Sequence, residues 1–228
     1  MGADRRTLLV LLVTGAFALG GGGGHAAEAE RLVPIPIRLP LPCFSRPGAL
    51  KGARNLERPS AKPRPPFLAP VGTANVALGK PVISSNKQLF AEDLAPLTDG
   101  VKRVRKGTVL DIGPGRQWVQ VDLGASHRIY AVVVWHDYGL FSVYFDVAVQ
   151  VADDRDCIHN ARVLFNGDYD NTLGLGVGQD KEYVESYEGK LIDAKGVTAR
   201  YVRLHSNGST RNDRNCYLEV EVYGKPAP

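Results

Sequence analysis

Three adjacent residues, His136, Asp137 and Tyr138, carry side chains that together could hold a polar ligand. An imidazole, a carboxylate and an aromatic ring are the groups that bind a sugar, which needs hydrogen bonds to its hydroxyls and a ring to stack on. The three residues directly follow an apolar run, so we expect them on a loop at a strand end, where binding residues often lie. Asn86, which follows another apolar run, is a further ligand-binding candidate. The alternative is that these loop residues only satisfy one another's hydrogen bonds.

No set of residues with the spacing of a catalytic site accompanies this cluster. The sequence has neither a Gly-x-Ser-x-Gly elbow nor a His-Glu-x-x-His pair, and none of its three cysteines has a recognisable nucleophile context. The stretch 168–178 is rich in Asp and Gly, but it has the spacing of neither a dinucleotide-binding loop nor an EF-hand. The sequence therefore predicts a protein that binds and is not an enzyme.

Short apolar runs must position these residues. Each is rich in Val and aromatic residues and is bounded by Gly, Pro, Asn or Asp, and they lie at 75–85, 118–124, 129–135, 145–151, 199–205 and 217–224. This pattern is typical of an all-β sandwich. Alternation places Val119, Val121 and Leu123 on one face, and likewise Leu218, Val220 and Val222. The run 129–135 is apolar on both faces and is expected to be a central strand, while Trp118 and Trp135 are expected in the core.

The first 27 residues have the features of an export signal. Arg5 and Arg6 precede an apolar run from Leu8 to Leu19, and small residues follow it. The run is shorter than the roughly 20 residues that a membrane-spanning helix needs. We therefore expect an exported protein, periplasmic or extracellular, by either the general or the twin-arginine route. In such an oxidising compartment Cys43, Cys157 and Cys216 can form at most one intramolecular disulfide, whose pairing stays open.

Residues 28–72 differ in composition from the rest and are predicted to form a Pro-rich basic arm. Ten of the fifteen prolines lie between Pro34 and Pro70, and between residues 31 and 66 eight Lys or Arg accompany a single Glu. The basic charge thus belongs to the arm, and nucleic acid is not an expected partner. Proline also alternates with five apolar residues: Val33, Ile35, Ile37, Leu39 and Leu41. Such a segment is extended and cannot be a central strand. We expect it to pack on this domain or on a partner protein, the alternative being a flexible spacer.

Five pieces of sequence, in order, resemble the discoidin or coagulation-factor C-type domain. They are Asn75-Val-Ala-Leu-Gly-Lys-Pro-Val82, Leu97-Thr-Asp-Gly100, Trp118-Val-Gln-Val-Asp-Leu-Gly124, Arg200-Tyr-Val-Arg-Leu204 and Glu219-Val-Glu-Val-Tyr-Gly224. This galactose-binding-like superfamily includes fucolectins and many carbohydrate-binding modules. The resemblance implies a jelly-roll β-sandwich over residues 73–225, with the arm outside it. It also implies a carbohydrate or glycoprotein ligand bound by loops.

The resemblance further implies a structural calcium ion that ties strand ends together. Its ligands would be the carboxylates of Asp99 and Glu219 and backbone carbonyls near Pro96, Val101 and Leu218. Calcium takes about 6–8 oxygen ligands, and a tight Asp-Gly turn lets carbonyls converge. The alternative is that Asp99 only caps the turn before Gly100.

The chain also departs from these relatives. Fucolectins hold their sugar with a histidine and two arginines, whereas the stretch 136–144 contains no arginine, so fucose specificity does not follow. Membrane contact is not expected, because Leu89-Phe90 and Leu140-Phe141 are the only candidate apolar tips and each can equally pack. We therefore expect an exported, non-catalytic module that recognises extracellular or cell-surface carbohydrate. The alternative is a structural or assembly protein that docks on a partner through its arm.

Overall fold

Strands dominate the residues that the computed structural model describes, which are 30–43, 47–60 and 62–227. The predicted export signal lies outside the described residues. In chain order the elements are β1 (Leu32–Pro34), β2 (Leu68–Pro70), β3 (Ala74–Asn75), β4 (Val82–Ser84), α1 (Ala91–Leu94), a 3₁₀ turn (Ala95–Thr98), β5 (Leu110–Pro114), β6 (Arg116–His136), β7 (Ala148–Ala152), β8 (Arg162–Asn166), β9 (Lys190–Asn207) and β10 (Arg214–Pro226). The predicted all-β class is confirmed.

Two long antiparallel strands, β6 and β9, organise the main sheet. Its order is β3-β10-β6-β9-β7-β8, with β4 also paired to β6 and β5 to β10. The register of β6 on β9 shifts between Asp122 and His127. The first half of β6 pairs with β4 and its second half with β10. Both halves of the folded sheet send apolar side chains into one core, which gives the predicted jelly-roll sandwich.

Residues 129–135 of β6 bury both of their faces, as predicted for a central strand. Val132 and Val134 belong to the core between the sheet layers. Val133 and Trp135 belong to a second, smaller apolar cluster on the opposite face. This outer cluster is the one that the arm covers.

The Pro-rich arm packs on the sandwich of its own chain. β1 pairs with β2, and Ile35, which is buried, joins the outer cluster with Ala69. The Ile35 N–H also donates to the Phe67 carbonyl at 2.9 Å. Arg64 holds the arm further along, because its guanidinium donates to the carbonyls of Glu188 and Gly189. Proline limits pairing of the arm to short segments.

Several boundaries differ from the sequence expectation. The run 75–85 is split into β3 and β4, because the chain turns at Gly79, whose φ is +67°. The runs 118–124 and 129–135 join into β6, while β5, β8 and the first half of β9 were not predicted. The register shift between Tyr217 and Glu219 turns Leu218 to the outer cluster, away from Val220 and Val222.

Cys43, Cys157 and Cys216 are all free thiols. In the described part of the chain, no helix has the length and apolar character that crossing a bilayer requires.

Candidate functional site

His136 is the last residue of β6, and its imidazole lies inside the protein. The residue has no solvent exposure, its Nδ1 lies 2.8 Å from Glu185 Oε1, and the Tyr144 ring stacks on it at 4.3 Å between centroids. The strand extends through His136 because Tyr217 of β10 pairs with it. The expected loop position is therefore corrected to a strand end that a surface ligand does not reach.

Asp137 and Tyr138 are engaged by their own surroundings. Tyr138 is buried, and its hydroxyl donates to the Lys102 carbonyl at 2.8 Å. Asp137 is half-buried and accepts the Gly139 N–H at 3.0 Å. Burial raises the pKa of Asp137, and the Gly139 N–H and the charge of Arg211 act in the opposite direction. The structure does not bring His136, Asp137 and Tyr138 together on one surface.

Asn86 lines a surface cleft of about 590 Å³ beside Trp118. We call this the Trp118 cleft; its walls come from β4 and the loop after it, α1, the start of β6, the loop after β7 and β9. Its polar lining includes Ser85, Asn86, Lys87, Arg155, Asp156 and Arg203. The Asn86 side chain is positioned from within, since its Nδ2 donates to the Ile112 carbonyl at 3.1 Å.

Trp118 forms the aromatic part of the cleft, together with Arg203. It was expected in the core, but alternation with buried Val119 directs its side chain to the outer face, where it is half-buried. The guanidinium carbon of Arg203 lies 4.3 Å from the centroid of the Trp118 ring, a cation–π contact. The Ser85 hydroxyl accepts the backbone N–H of Trp118 at 2.9 Å and so joins the loop after β4 to β6.

A buried glutamine anchors the opposite wall of the cleft. Gln120 is 1 % exposed, its amide donates to the Arg155 carbonyl at 3.0 Å, and its Oε1 accepts Arg203 Nε at 2.7 Å. The Arg203 guanidinium also donates to the Arg155 carbonyl at 3.0 Å. These bonds fix Arg203 against both Trp118 and the loop after β7. Sequence reasoning missed this arrangement, although the outward polar side chain of Gln120 between two buried valines was a signal for it.

Basic residues outnumber acidic ones in the Trp118 cleft. Lys87, Arg155 and Arg203 face Asp156, its one carboxylate among the lining residues. Lys87 and Arg155 are exposed and form no ion pair with a carboxylate in the described part of the chain. The cleft thus offers an aromatic ring, amide and hydroxyl groups and a positive charge.

Of the two predicted carboxylate ligands of calcium, Glu219 contacts the residue that follows the other, Asp99. Glu219 is fully buried, and both of its carboxylate oxygens accept the N–H of Gly100, at 3.1 and 3.2 Å. Gly100 adopts φ +84°, a conformation that glycine allows at the turn after Asp99. Burial raises the pKa of Glu219 to about 9, and the negative charge of Glu221 adds to the effect.

These residues do not fit a calcium ion as they stand. Asp99 is exposed and accepts the Val101 N–H at 2.7 Å, while Gly100 supplies the backbone contact to Glu219. The Lys102 ammonium lies in the same place, paired with Glu221 and 3.5 Å from the Gly100 carbonyl. Calcium needs about 6–8 oxygen ligands and would be repelled by an adjacent ammonium. The predicted carbonyls of Pro96, Val101 and Leu218 stay a prediction.

Three other carboxylates, Asp146, Asp168 and Asp170, have oxygens within 4.8 Å of one another. Asp168 accepts N–H groups of its own loop, from Thr172 at 2.9 Å and Leu173 at 2.6 Å. Asp146 accepts Asn207 Nδ2 at 2.7 Å. The cluster thus shapes the loop after β8, the glycine-rich stretch that the sequence gives no binding motif.

A cleft of about 610 Å³ separates part of the arm from residues 183–191. Lys190 lies beside it, with its ammonium 2.9 Å from Glu57 of the arm and 4.6 Å from the centroid of the Tyr183 ring. This ion pair joins the arm to β9.

Comparison with family models gives no match, and neither does a search of curated proteins. Solved structures do match. Chitosan-binding module 1 from the chitosanase/glucanase of Paenibacillus sp. IK-5 is 22 % identical, with a TM-score of 0.47, over 66 % of this chain and 98 % of that one. The CBM32 of AlyQ in complex with 4,5-unsaturated mannuronic acid is 17 % identical, with a TM-score of 0.44, over 62 % and 92 %.

A family 89 glycoside hydrolase from Clostridium perfringens is also similar. It is 17 % identical, with a TM-score of 0.45, over 67 % of this chain and 15 % of that one. Identities this low do not identify a ligand for this chain. The solved structures to which the chain is similar include carbohydrate-binding modules, a class that the sequence resemblance named.

Proposed function

We propose that this chain is an exported, non-catalytic module that binds extracellular or cell-surface carbohydrate in the Trp118 cleft. The observation that carries the proposal is the fixed Trp118–Arg203 pair, with a ring and guanidinium 4.3 Å apart in a cleft lined by Asn86 and Ser85. Sugars bind to such sites because ring faces cover their C–H groups while polar side chains bond their hydroxyls.

The charge of the cleft favours glycans that carry acidic groups. Arg203 is held in place by Gln120 and the Arg155 carbonyl, so its guanidinium needs little ordering on binding. Lys87 and Arg155 add positive charge at the rim, and a guanidinium suits a carboxylate or sulfate. We therefore expect glycans with uronate or sulfate groups to bind more tightly than neutral ones.

Two features favour binding without turnover and outside the cell. Asp156 is the one carboxylate among the described residues that line the cleft, whereas most glycosidases use a pair of carboxylates. Residues 1–27 have the charge and apolar pattern of an export signal.

A glycan array that contains neutral, uronate and sulfated oligosaccharides tests the proposal. We expect the wild-type protein to bind acidic glycans and the Trp118→Ala variant to lose at least about tenfold in affinity, which corresponds to about 1.4 kcal/mol. The Lys87→Gln, Arg155→Gln double variant should bind acidic glycans more weakly, bind neutral glycans as before, and show a smaller salt dependence of binding.

Tyr130→Ala is the matched control, because Tyr130 is another half-buried ring of β6 with an arginine, Arg128, 5.9 Å from its centroid. It does not line the Trp118 cleft, so its substitution should leave affinity unchanged. The proposal fails if the wild type binds no glycan, or if Trp118→Ala binds as well as Tyr130→Ala.

The arm carries a second candidate function, docking on a partner protein. Leu39 and Leu41 are 44 % and 82 % exposed although the arm packs on its own sandwich. Replacing both by serine should remove a co-purifying partner or lower the oligomeric state. Ile158→Ser is the control, since Ile158 is an exposed apolar residue outside the arm. An unchanged set of co-purifying proteins and an unchanged oligomeric state would rule this function out.

A further inference from the structure

We infer that the Lys102 ammonium is the resident cation at the place where the family resemblance implies a calcium ion. In this chain an internal lysine ties the turn at 99–102 to β10 and makes a divalent ion unnecessary. The inference is independent of the proposed function, since it concerns the joining of strand ends and not the Trp118 cleft.

The Lys102 ammonium is surrounded by groups that attract a cation. Lys102 Nζ forms an ion pair with Glu221 Oε1, and the two side chains are only 7 % and 5 % exposed. The same nitrogen lies 3.5 Å from the Gly100 carbonyl and 5.3 Å from the centroid of the Trp135 ring. A carboxylate, a carbonyl and an aromatic face are all groups that attract a cation.

Two buried glutamates of β10 lie beside the turn that contains Lys102. Glu219 and Glu221 are two residues apart on β10, so their side chains share one face of the strand. Glu219 takes the Gly100 N–H, and Glu221 Oε2 takes the Tyr223 hydroxyl at 2.8 Å. Burial raises the pKa of Glu219 and so favours its neutral form, whereas Glu221 is paired with the Lys102 ammonium, and a buried carboxylate of this kind needs a positive charge nearby. Lys102 comes from the same turn as Gly100, so a single segment supplies both the N–H donor and the charge.

Aromatic residues of the outer cluster lie around Lys102. Its own carbonyl accepts the Tyr138 hydroxyl at 2.8 Å. Trp135, Tyr138 and Tyr223 belong to the outer cluster, together with Ile35 of the arm. The ammonium thus lies beside the cluster that the arm completes, which limits its exposure to water. The electrostatic attraction between two opposite charges is stronger where water and salt are excluded than at an exposed surface.

Calcium addition and chelation on the purified protein test the inference directly. We expect millimolar calcium chloride and EDTA each to shift the wild-type melting temperature by less than about 1 °C, because a protein without a site gains no stability from the ion. A rise with calcium and a fall with EDTA would overturn the inference, whatever the variants do.

Substitution of the lysine is the second measurement. Lys102→Met keeps the length of the side chain but leaves Glu221 buried without its cation, so we expect a melting temperature lower by about 10 °C. The Lys102→Met, Glu221→Gln double variant should recover at least half of that loss, because it removes both charges. A Lys102→Met variant as stable as the wild type would contradict the inference.

Lys190→Met is the matched control for loss of a lysine. Lys190 also pairs with a glutamate, Glu57, but the two side chains are 19 % and 43 % exposed. Its loss should be less than half that of Lys102→Met, because an exposed pair is better solvated. Equal losses for the two variants would show that the Lys102 pair has no special role.

Discussion

In the segment 129–135 of β6 both faces pack against other residues, but the two faces are covered in different ways. On the inner face, Val132 and Val134 meet the apolar side chains of the opposite layer. On the outer face, Val133 and Trp135 lie under the arm and next to the buried ion pair of Lys102 and Glu221. The inner face is stabilised by transfer of apolar surface from water. The outer face depends in addition on complete pairing of its polar groups, because an unpaired buried charge is strongly destabilising.

Truncation of one residue on each side gives the largest contrast of this kind. Leu204 of β9 is 1 % exposed in the inner core, and Leu204→Ala should lower the free energy of unfolding by about 3 kcal/mol. Ile35→Ala removes a side chain of the arm and should cost about half as much, since the arm can shift to fill the space. Urea denaturation of both variants measures the difference. Equal losses of stability would mean that the arm cannot shift to fill the space left by Ile35→Ala, so that it packs as rigidly as the inner core.

The next largest effect is the pH dependence of stability that His205 of β9 contributes. His205 of β9 lies across from Trp118, and burial, with the charge of Arg203 as a smaller cause, lowers its pKa to about 4. Between about pH 6.5 and pH 4 the unfolded chain therefore binds a proton that the folded chain does not. Stability should fall with decreasing pH in that window, by about 1.4 kcal/mol per pH unit from this group.

His205→Gln isolates that contribution, because a neutral amide cannot take up the proton. We expect the variant to lose less stability than the wild type between pH 6.5 and pH 4.5 in thermal melts. Parallel pH profiles for the two proteins would show that another group is responsible.

The smallest expected effect comes from an ion pair at the surface. Arg200 and Asp122 form two hydrogen bonds, at 2.8 and 2.9 Å, with side chains 40 % and 31 % exposed. Arg200→Gln should destabilise the protein less than any of the other substitutions, and less still in high salt. Comparison with Lys102→Met then separates the effect of burial from that of pairing. A large, salt-independent loss for Arg200→Gln would remove the contrast between the two pairs.

The sequence predicts the inner face well and the outer face poorly, for a physical reason. The alternation of Val119, Val121 and Leu123 specifies an inward direction from local pattern alone, and all three lie in the inner core. The same alternation also directs Trp118 outward, although its aromatic character favours the core. Leu218 escapes prediction because a register shift at Glu219 interrupts the period.

The candidate sites were harder to predict, since their side chains find partners far away in the chain. His136 is held by Glu185, and Glu221 by Lys102, at separations of 49 and 119 residues. No local pattern reveals such contacts. Asn86 was identified as a candidate from its position after a strand, but its neighbours in the cleft, Arg155 and Arg203, come together only in the folded chain.

The position of β10 has a consequence for how the chain acquires its structure. This strand, the last of the described elements, pairs with β3, β5 and β6. None of those pairings can form before residues 214–226 have been synthesised. Folds whose contacts join distant parts of the sequence form slowly. Until β10 is added, the second half of β6 keeps one unpaired edge, and unpaired strand edges promote association between incomplete chains.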